Sequence, residues 1–128
     1  MKHGGVREAS VESVRLLANI RPAIIYVHEY FSSSITVETL AAKTHFSKSY
    51  FLSRFHQAVG MSPMDYVNRV RIREVCRRLM NTSQRITDIA YDCGFRNISN
   101  LNRQFEKHMS CMPSEYRAER KTTEKEVF

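Results

Sequence analysis

Ser99, Asn100 and Arg103, with Lys107 one turn further on, fall on one face of a helix in the stretch Ile86 to His108, ITDIAYDCGFRNISNLNRQFEKH. Hydroxyl, amide and guanidinium groups of this size fit the donor and acceptor patterns of base edges, and cations fit phosphate. An arginine fork can take guanine O6 and N7 together, which makes Arg103 the leading candidate for a base contact. A phosphate clamp or a solvated arginine is the plainer role for the same side chain. Ser99 and Asn100 suit adenine or the backbone, Asn102 stands nearer the flank, and Lys107 suits a phosphate.

Catalytic chemistry finds no such footing. Ser, His and Asp are present, but no G-x-S-x-G, P-loop or H-E-x-x-H pattern joins them. His108 and Cys111 stand three apart without a second pair, so a zinc site is not indicated, and no cofactor is expected. The chain reads as a binding protein, not an enzyme.

Lys and Arg number 20 against 13 Asp and Glu, giving a net charge of +7 and an isoelectric point near 9.6. That balance in a small domain points to a polyanion, whether nucleic acid, a membrane surface or an acidic protein. No apolar run approaches the ~18 residues that span a bilayer, so a membrane partner is not expected. Cys76, Cys93 and Cys111 are odd in number and widely spaced, as in a reducing cytosol.

Helices must position these groups. Residues 1–9 have no periodicity and read as mobile. Val11, Val14, Leu17 (with Leu16) and Ile20 recur at helical spacing, Pro22 marks a break, and a new helix runs from Pro22 to Phe31 with Ile24, Ile25, Val27 and Phe31 inward. After the serine loop 32–34, Thr36 caps a short helix. Ser47 caps a helix from Lys48 to Val59 that Gly60 stops. On that helix Phe51, Phe55 and Ala58 face inward, while Ser49, Leu52, Ser53 and His56 gather opposite. The first, third and fourth are polar readers, and Leu52 could touch a thymine methyl. Ser62, Pro63 and Asp65 agree on the start of a long helix to about Met80, which carries Arg69, Arg73 and Arg77 on one face. Its other arginines read as surface charge.

The chain repeats itself at an offset of about 50 residues. FHQAVGMSPMDY at Phe55–Tyr66 returns as FEKHMSCMPSEY at Phe105–Tyr116, and Leu40, Ala41 and Phe46 find Ile89, Ala90 and Phe95. Two helix-turn-helix copies joined by an arginine-rich helix is the economical reading. Ser110 replaces the stop Gly60 and Met112 the cap Ser62, so the second copy's last junction is expected to be less well defined.

LAAKTHFSKSYFLSRFHQAVGMSPMDYVNRVRI and, more specifically, ITDIAYDCGFRNISNLNRQFEKHMSCMPSEYR resemble the DNA-binding domain of AraC/XylS transcription regulators. The resemblance implies an all-α, homeodomain-like fold of about seven helices: two helix-turn-helix subdomains joined by a long linker helix. On this reading residues 1–20 are an extension or a remnant interdomain helix, 21–62 the first subdomain and 63–80 the linker. Residues 81–121 are the second subdomain and 122–128 a disordered tail. It also implies two recognition helices, about 48–59 and 97–108, in successive major grooves on one face of double-stranded DNA. Grooves about 34 Å apart and a linker of about 26 Å are compatible. Lys48, Arg96 and Lys107, with Arg69, Arg73 and Arg77, are then the candidate phosphate contacts. RNA polymerase and a missing N-terminal sensing domain are the further partners implied. Arg85 and Arg96 depart from the small capping residues of relatives, leaving Asn97 as the second recognition helix's cap. Leu52-Ser53-Arg54 makes the first reading face less polar than the pattern implies.

Overall fold

A computed structural model of the chain describes the backbone of residues 2–127 and the side chains of residues 11–120. The described elements are α1 (Lys2–Tyr30), α2 (Val37–Thr44), α3 (Lys48–Val59), α4 (Pro63–Asn81), α5 (Ile86–Asp92), α6 (Ile98–Met109) and α7 (Pro113–Val127). They form two compact units: Met1–Tyr30 with Ile35–Val67, and Phe31–Ser34 with Asn68–Phe128. The expected mobility of residues 1–9 and disorder of 122–128 concern side chains outside the described residues. In backbone, α7 extends to Val127.

The break expected at Pro22 is absent, and α1 runs through it. Proline there withholds one helical hydrogen bond, a cost of about 3 kcal/mol in an interior turn. What offsets it is one continuous buried face on both sides: Leu16, Ile20, Ala23 and Val27 are all at most 8% exposed, against α2 and α3. Val11, Val14 and Leu17 lie outward instead, and so does Ile25, which had been expected to face inward. The inward stripe is shifted by one position from Leu17 to Leu16.

In the first unit Thr36 Oγ1 accepts from the Thr39 N–H at 3.1 Å, and His45 ends α2 in the left-handed conformation at φ 64°. Phe51 and Phe55 of α3 are fully buried with Leu40, and Phe55 meets Tyr66 edge-on at 5.7 Å. His28 Nε2 and Tyr66 Oη lie 2.7 Å apart and fix the tyrosine's far end.

The second unit repeats this plan. Ile72, Val75, Leu79, Ile89, Ala90, Cys93, Phe95, Leu101 and Phe105 make its core. Phe105 meets Tyr116 edge-on at 5.6 Å, the counterpart of Phe55 with Tyr66. From Phe51 to Gly60 and from Leu101 to Ser110, buried and exposed positions alternate identically. Burial pushes the Cys93 thiol up to about 11.

The junction after α6 is as regular as its counterpart, contrary to expectation. Ser110 takes the left-handed stop at φ 60°, donating to the Glu106 carbonyl at 2.9 Å, as Gly60 donates to that of His56 at 2.8 Å. Ahead of α7, Glu115 Oε1 accepts from the Met112 N–H at 2.9 Å, whereas ahead of α4 Ser62 Oγ accepts from the Asp65 N–H at 3.1 Å. Each copy thus keeps one half of a capping box.

Arg71 is not surface charge. It is 8% exposed, donating from Nε to the Phe31 carbonyl at 2.7 Å and from Nη2 to that of Ser33 at 2.9 Å. Burial pulls its pKa below the ordinary guanidinium value. Gly94, at φ 95°, lies against the same bond, where a Cβ would stand 2.7 Å from the Phe31 carbonyl oxygen. The turn glycine therefore serves two needs, a positive φ and a close approach.

Candidate nucleic-acid interface

Two capped helices carry the exposed polar groups. Ser47 Oγ accepts from the Tyr50 N–H at 3.3 Å and starts α3; Asn97 Oδ1 accepts from the Asn100 N–H at 2.8 Å and starts α6. Asn97 is the cap the sequence suggested. Arg85, at the same place before α5, makes no cap bond and pairs with Asp88 at 3.0 Å.

On α3, Ser49, Ser53 and His56 are exposed together and Leu52 is half-buried beside them. On α6, Ser99 and Arg103 are exposed, with Asn100 and Asn102 half-buried and Lys107 exposed near the end. Each set is therefore brought onto one helix. Arg103 corresponds to Ser53 in the repeat, so only the second face has a guanidinium at that place.

The proposed cations divide by partner. Arg69 and Arg73 are exposed on α4, and Arg96 is exposed just before α6. Lys48 pairs with Glu38 at 2.9 Å, and its ammonium holds the Glu38 carboxyl below the usual range. Arg77 grips Glu74 with Nε at 2.9 Å and Nη2 at 2.6 Å. Arg78 also reaches Glu74, at 2.9 Å, and Asp92 at 3.3 Å, so it too is structural and not plain surface charge. These donors, Arg77 first, hold the Glu74 pKa down to about 2. Lys48 and Arg77 are therefore already partly neutralised by their carboxylate partners.

Three features escaped the sequence reading. Glu106 is exposed on α6 at the place of His56, seven residues after Ser99 and so on the same face. A helical projection of the second copy would have found it. Arg54 is tied to Tyr50 and Gln57 along α3. The spacing of those residues, four and three apart, was the available signal. Arg71 was hidden because an arginine between Val70 and Ile72 reads as a solvated charge until its carbonyl partners are known.

Among the described residues no three His, Cys, Asp or Glu side chains cluster as metal ligands, and no helix is long and apolar enough to cross a membrane.

Known proteins share this arrangement. Residues 40–119 match the family described as "Helix-turn-helix domain". The uncharacterized HTH-type transcriptional regulator YobQ of Bacillus subtilis is 30% identical over 103 residues, covering 80% of this chain and 43% of that protein. The HTH-type transcriptional activator RhaS of an Enterobacter species is 28% identical over 78% of this chain and 36% of its own length. The chain thus spans less than half the length of these curated relatives. Among solved structures, the DNA-binding domain of AdpA, a global transcriptional factor crystallised with a target DNA, superposes with TM-score 0.77 at 26% identity, covering 81% of this chain and 94% of that one. A probable AraC family regulator from Rhodopseudomonas palustris gives TM-score 0.72 at 28% identity, covering 80% and 96%. With seven helices among the described residues, its duplicated capped helix-turn-helix and these likenesses, the chain belongs to the AraC/XylS-type helix-turn-helix family of transcription regulators.

Proposed function

We propose that this chain is the DNA-reading part of a transcription regulator, which sets α3 and α6 into successive major grooves on one face of a duplex. The observation that carries the reading is the repeat of one exposed polar face on two capped helices in a chain of net charge +7. Arg103 takes guanine, Ser99, Asn100 and Asn102 contact neighbouring bases or the backbone, and Ser49, Leu52, Ser53 and His56 form the second, less polar reader. Arg69, Arg73, Arg96 and Lys107 meet phosphates, with Lys48 and Arg77 joining once released from their carboxylates. AdpA's target DNA and the regulators among the relatives support this assignment.

A sensing domain and RNA polymerase are the further partners of this reading. The outward Val11, Val14 and Leu17, between 44% and 65% exposed, support a partner that covers α1.

Selection of bound sequences from a random DNA library tests the whole reading. Recovery of a two-part site is expected, with binding that falls steeply as salt rises. Arg103→Ala should cost roughly 1–3 kcal/mol on the selected site and relax preference at one base pair. Equal affinity and selectivity in that variant would remove Arg103 from the set, and a flat salt response in the parent would sink the DNA assignment.

A further inference from the structure

We propose that Arg54, braced by Tyr50 and Gln57, is a preset clamp for a DNA backbone phosphate on the flank of α3; this rests on the DNA-binding reading above. Arg54 donates from Nε to Tyr50 Oη at 2.9 Å and from Nη1 to Gln57 Oε1 at 3.2 Å. Its guanidinium also lies 5.0 Å from the Tyr50 ring centroid. That ring is in turn set edge-on against Phe46 at 4.8 Å. The brace is thus anchored in the turn that precedes the helix.

Both partners of Arg54 are neutral, a hydroxyl and an amide, so its charge is oriented without being cancelled. Lys48, Arg77, Arg78 and Arg85 differ, for each is bonded to a carboxylate. A guanidinium has five N–H donors, and the two bonds leave one on Nη1 and both on Nη2 for a ligand. Holding the fork in place beforehand removes much of the side-chain entropy that an arginine otherwise loses on binding. The planar fork matches two oxygens of one phosphate.

Position selects phosphate over a base. At about 100° per residue, Tyr50 and Gln57 lie about 100° and about 80° round α3 from Ser49. Arg54 starts about 140° round, half-buried beside the inward stripe, and its two bonds hold its head on the flank with Tyr50 and Gln57. A helix in a major groove turns its centre to base edges and its flanks to the two backbones. The repeat places Asn100, Gln104 and Lys107 where α3 has Tyr50, Arg54 and Gln57, so α6 lacks this braced guanidinium. The first copy, without an arginine at the place of Arg103, holds its anion from the side.

Fluorescence anisotropy across a series of salt concentrations tests this, using a mixed-sequence duplex and a duplex selected from a random library. Arg54→Ala should weaken both duplexes by the same factor, roughly three- to tenfold at low salt, and flatten the slope of log K against log salt by about one. Tyr50→Phe keeps the charge but removes one brace, so it should weaken both duplexes by a smaller common factor with the slope unchanged. An unaltered slope in Arg54→Ala overturns the clamp, as does a loss confined to the selected duplex, which would mark a base reader. Should Arg54→Ala fail to fold, Tyr50→Phe decides alone, and unchanged affinity in it overturns the proposal. A parent chain that binds neither duplex, or binds without salt dependence, would instead defeat the DNA-binding reading itself.

Discussion

Arg71 Nε donates to the Phe31 carbonyl across 40 residues of sequence, at 2.7 Å, and so ties the loop after α1 to the middle of α4. With Nη2 on the Ser33 carbonyl it holds that loop at a second point. Arg71→Ala strands both carbonyls in a partly buried setting. We expect a loss of about 2–4 kcal/mol in urea unfolding, since hydrogen bonds to charged groups are among the stronger ones. A change below about 0.5 kcal/mol, the range of ordinary surface substitutions, would show the loop to be held otherwise.

Gly94→Ala attacks the same place from the other side. The added carbon would meet the Phe31 oxygen at 2.7 Å and Arg71 Nε at 2.9 Å, on a backbone at φ 95°. Strain of about 1–3 kcal/mol from the left-handed conformation adds to the displaced bond. Gly60→Ala, at φ 85° but with open space around it, should cost less. Equal melting temperatures for the two variants would contradict the close-approach role of Gly94.

Acid sensitivity should be traceable to Glu74. Its pKa in the folded chain, about 2, lies below the ordinary 4.5 because Arg77 and Arg78 bond the ionised form. The ion pairs therefore add stability throughout the range above pH 4.5, and lose it as the pH falls from 4.5 towards 2. In Glu74→Gln that part of the acid-unfolding curve should be shallower than in the parent. Superimposable curves from pH 7 to about 2 would dismiss the pair as a contributor.

Glu106 should act on selectivity more than on affinity. A carboxylate on the outward polar face of α6 can accept from cytosine N4, while it repels phosphate. Glu106→Gln is expected to bind a mixed-sequence duplex more tightly than the parent and to lose about 1–3 kcal/mol of preference at one base pair of a selected site. Competition binding with single base-pair variants of that site measures both. Unchanged preference at every position would place Glu106 outside the contact surface.

Most of the architecture was legible because the two copies check each other. Thr36, Ser47, Gly60 and Ser62 each announce a helix end by local backbone chemistry, and the structure uses each at that place. The inward Phe51 and Phe55 followed from spacing alone and are fully buried. Pro22 misled because the local rule against interior proline was overridden by burial on both sides of it, which only the packed chain displays. The candidate site was legible to the same depth. Exposed positions on a helix face follow from periodicity, but which cations carry a carboxylate depends on neighbours such as Glu38 for Lys48, ten residues away. Arg71 and Arg54 escaped for a related reason, as their partners are carbonyl, hydroxyl and amide groups that leave no charge pattern to read.

The identical alternation of buried and exposed positions in α3 and α6 has a consequence for any target these helices read together. One scaffold has been copied, but Ser53 corresponds to Arg103 and His56 to Glu106 in the repeat, so the outward chemistry was not. A reader with unlike halves has a head and a tail. Its site has no internal dyad, and turning that site end for end makes a different site. A single chain can therefore carry an orientation along the duplex, which a symmetric dimer of identical readers cannot.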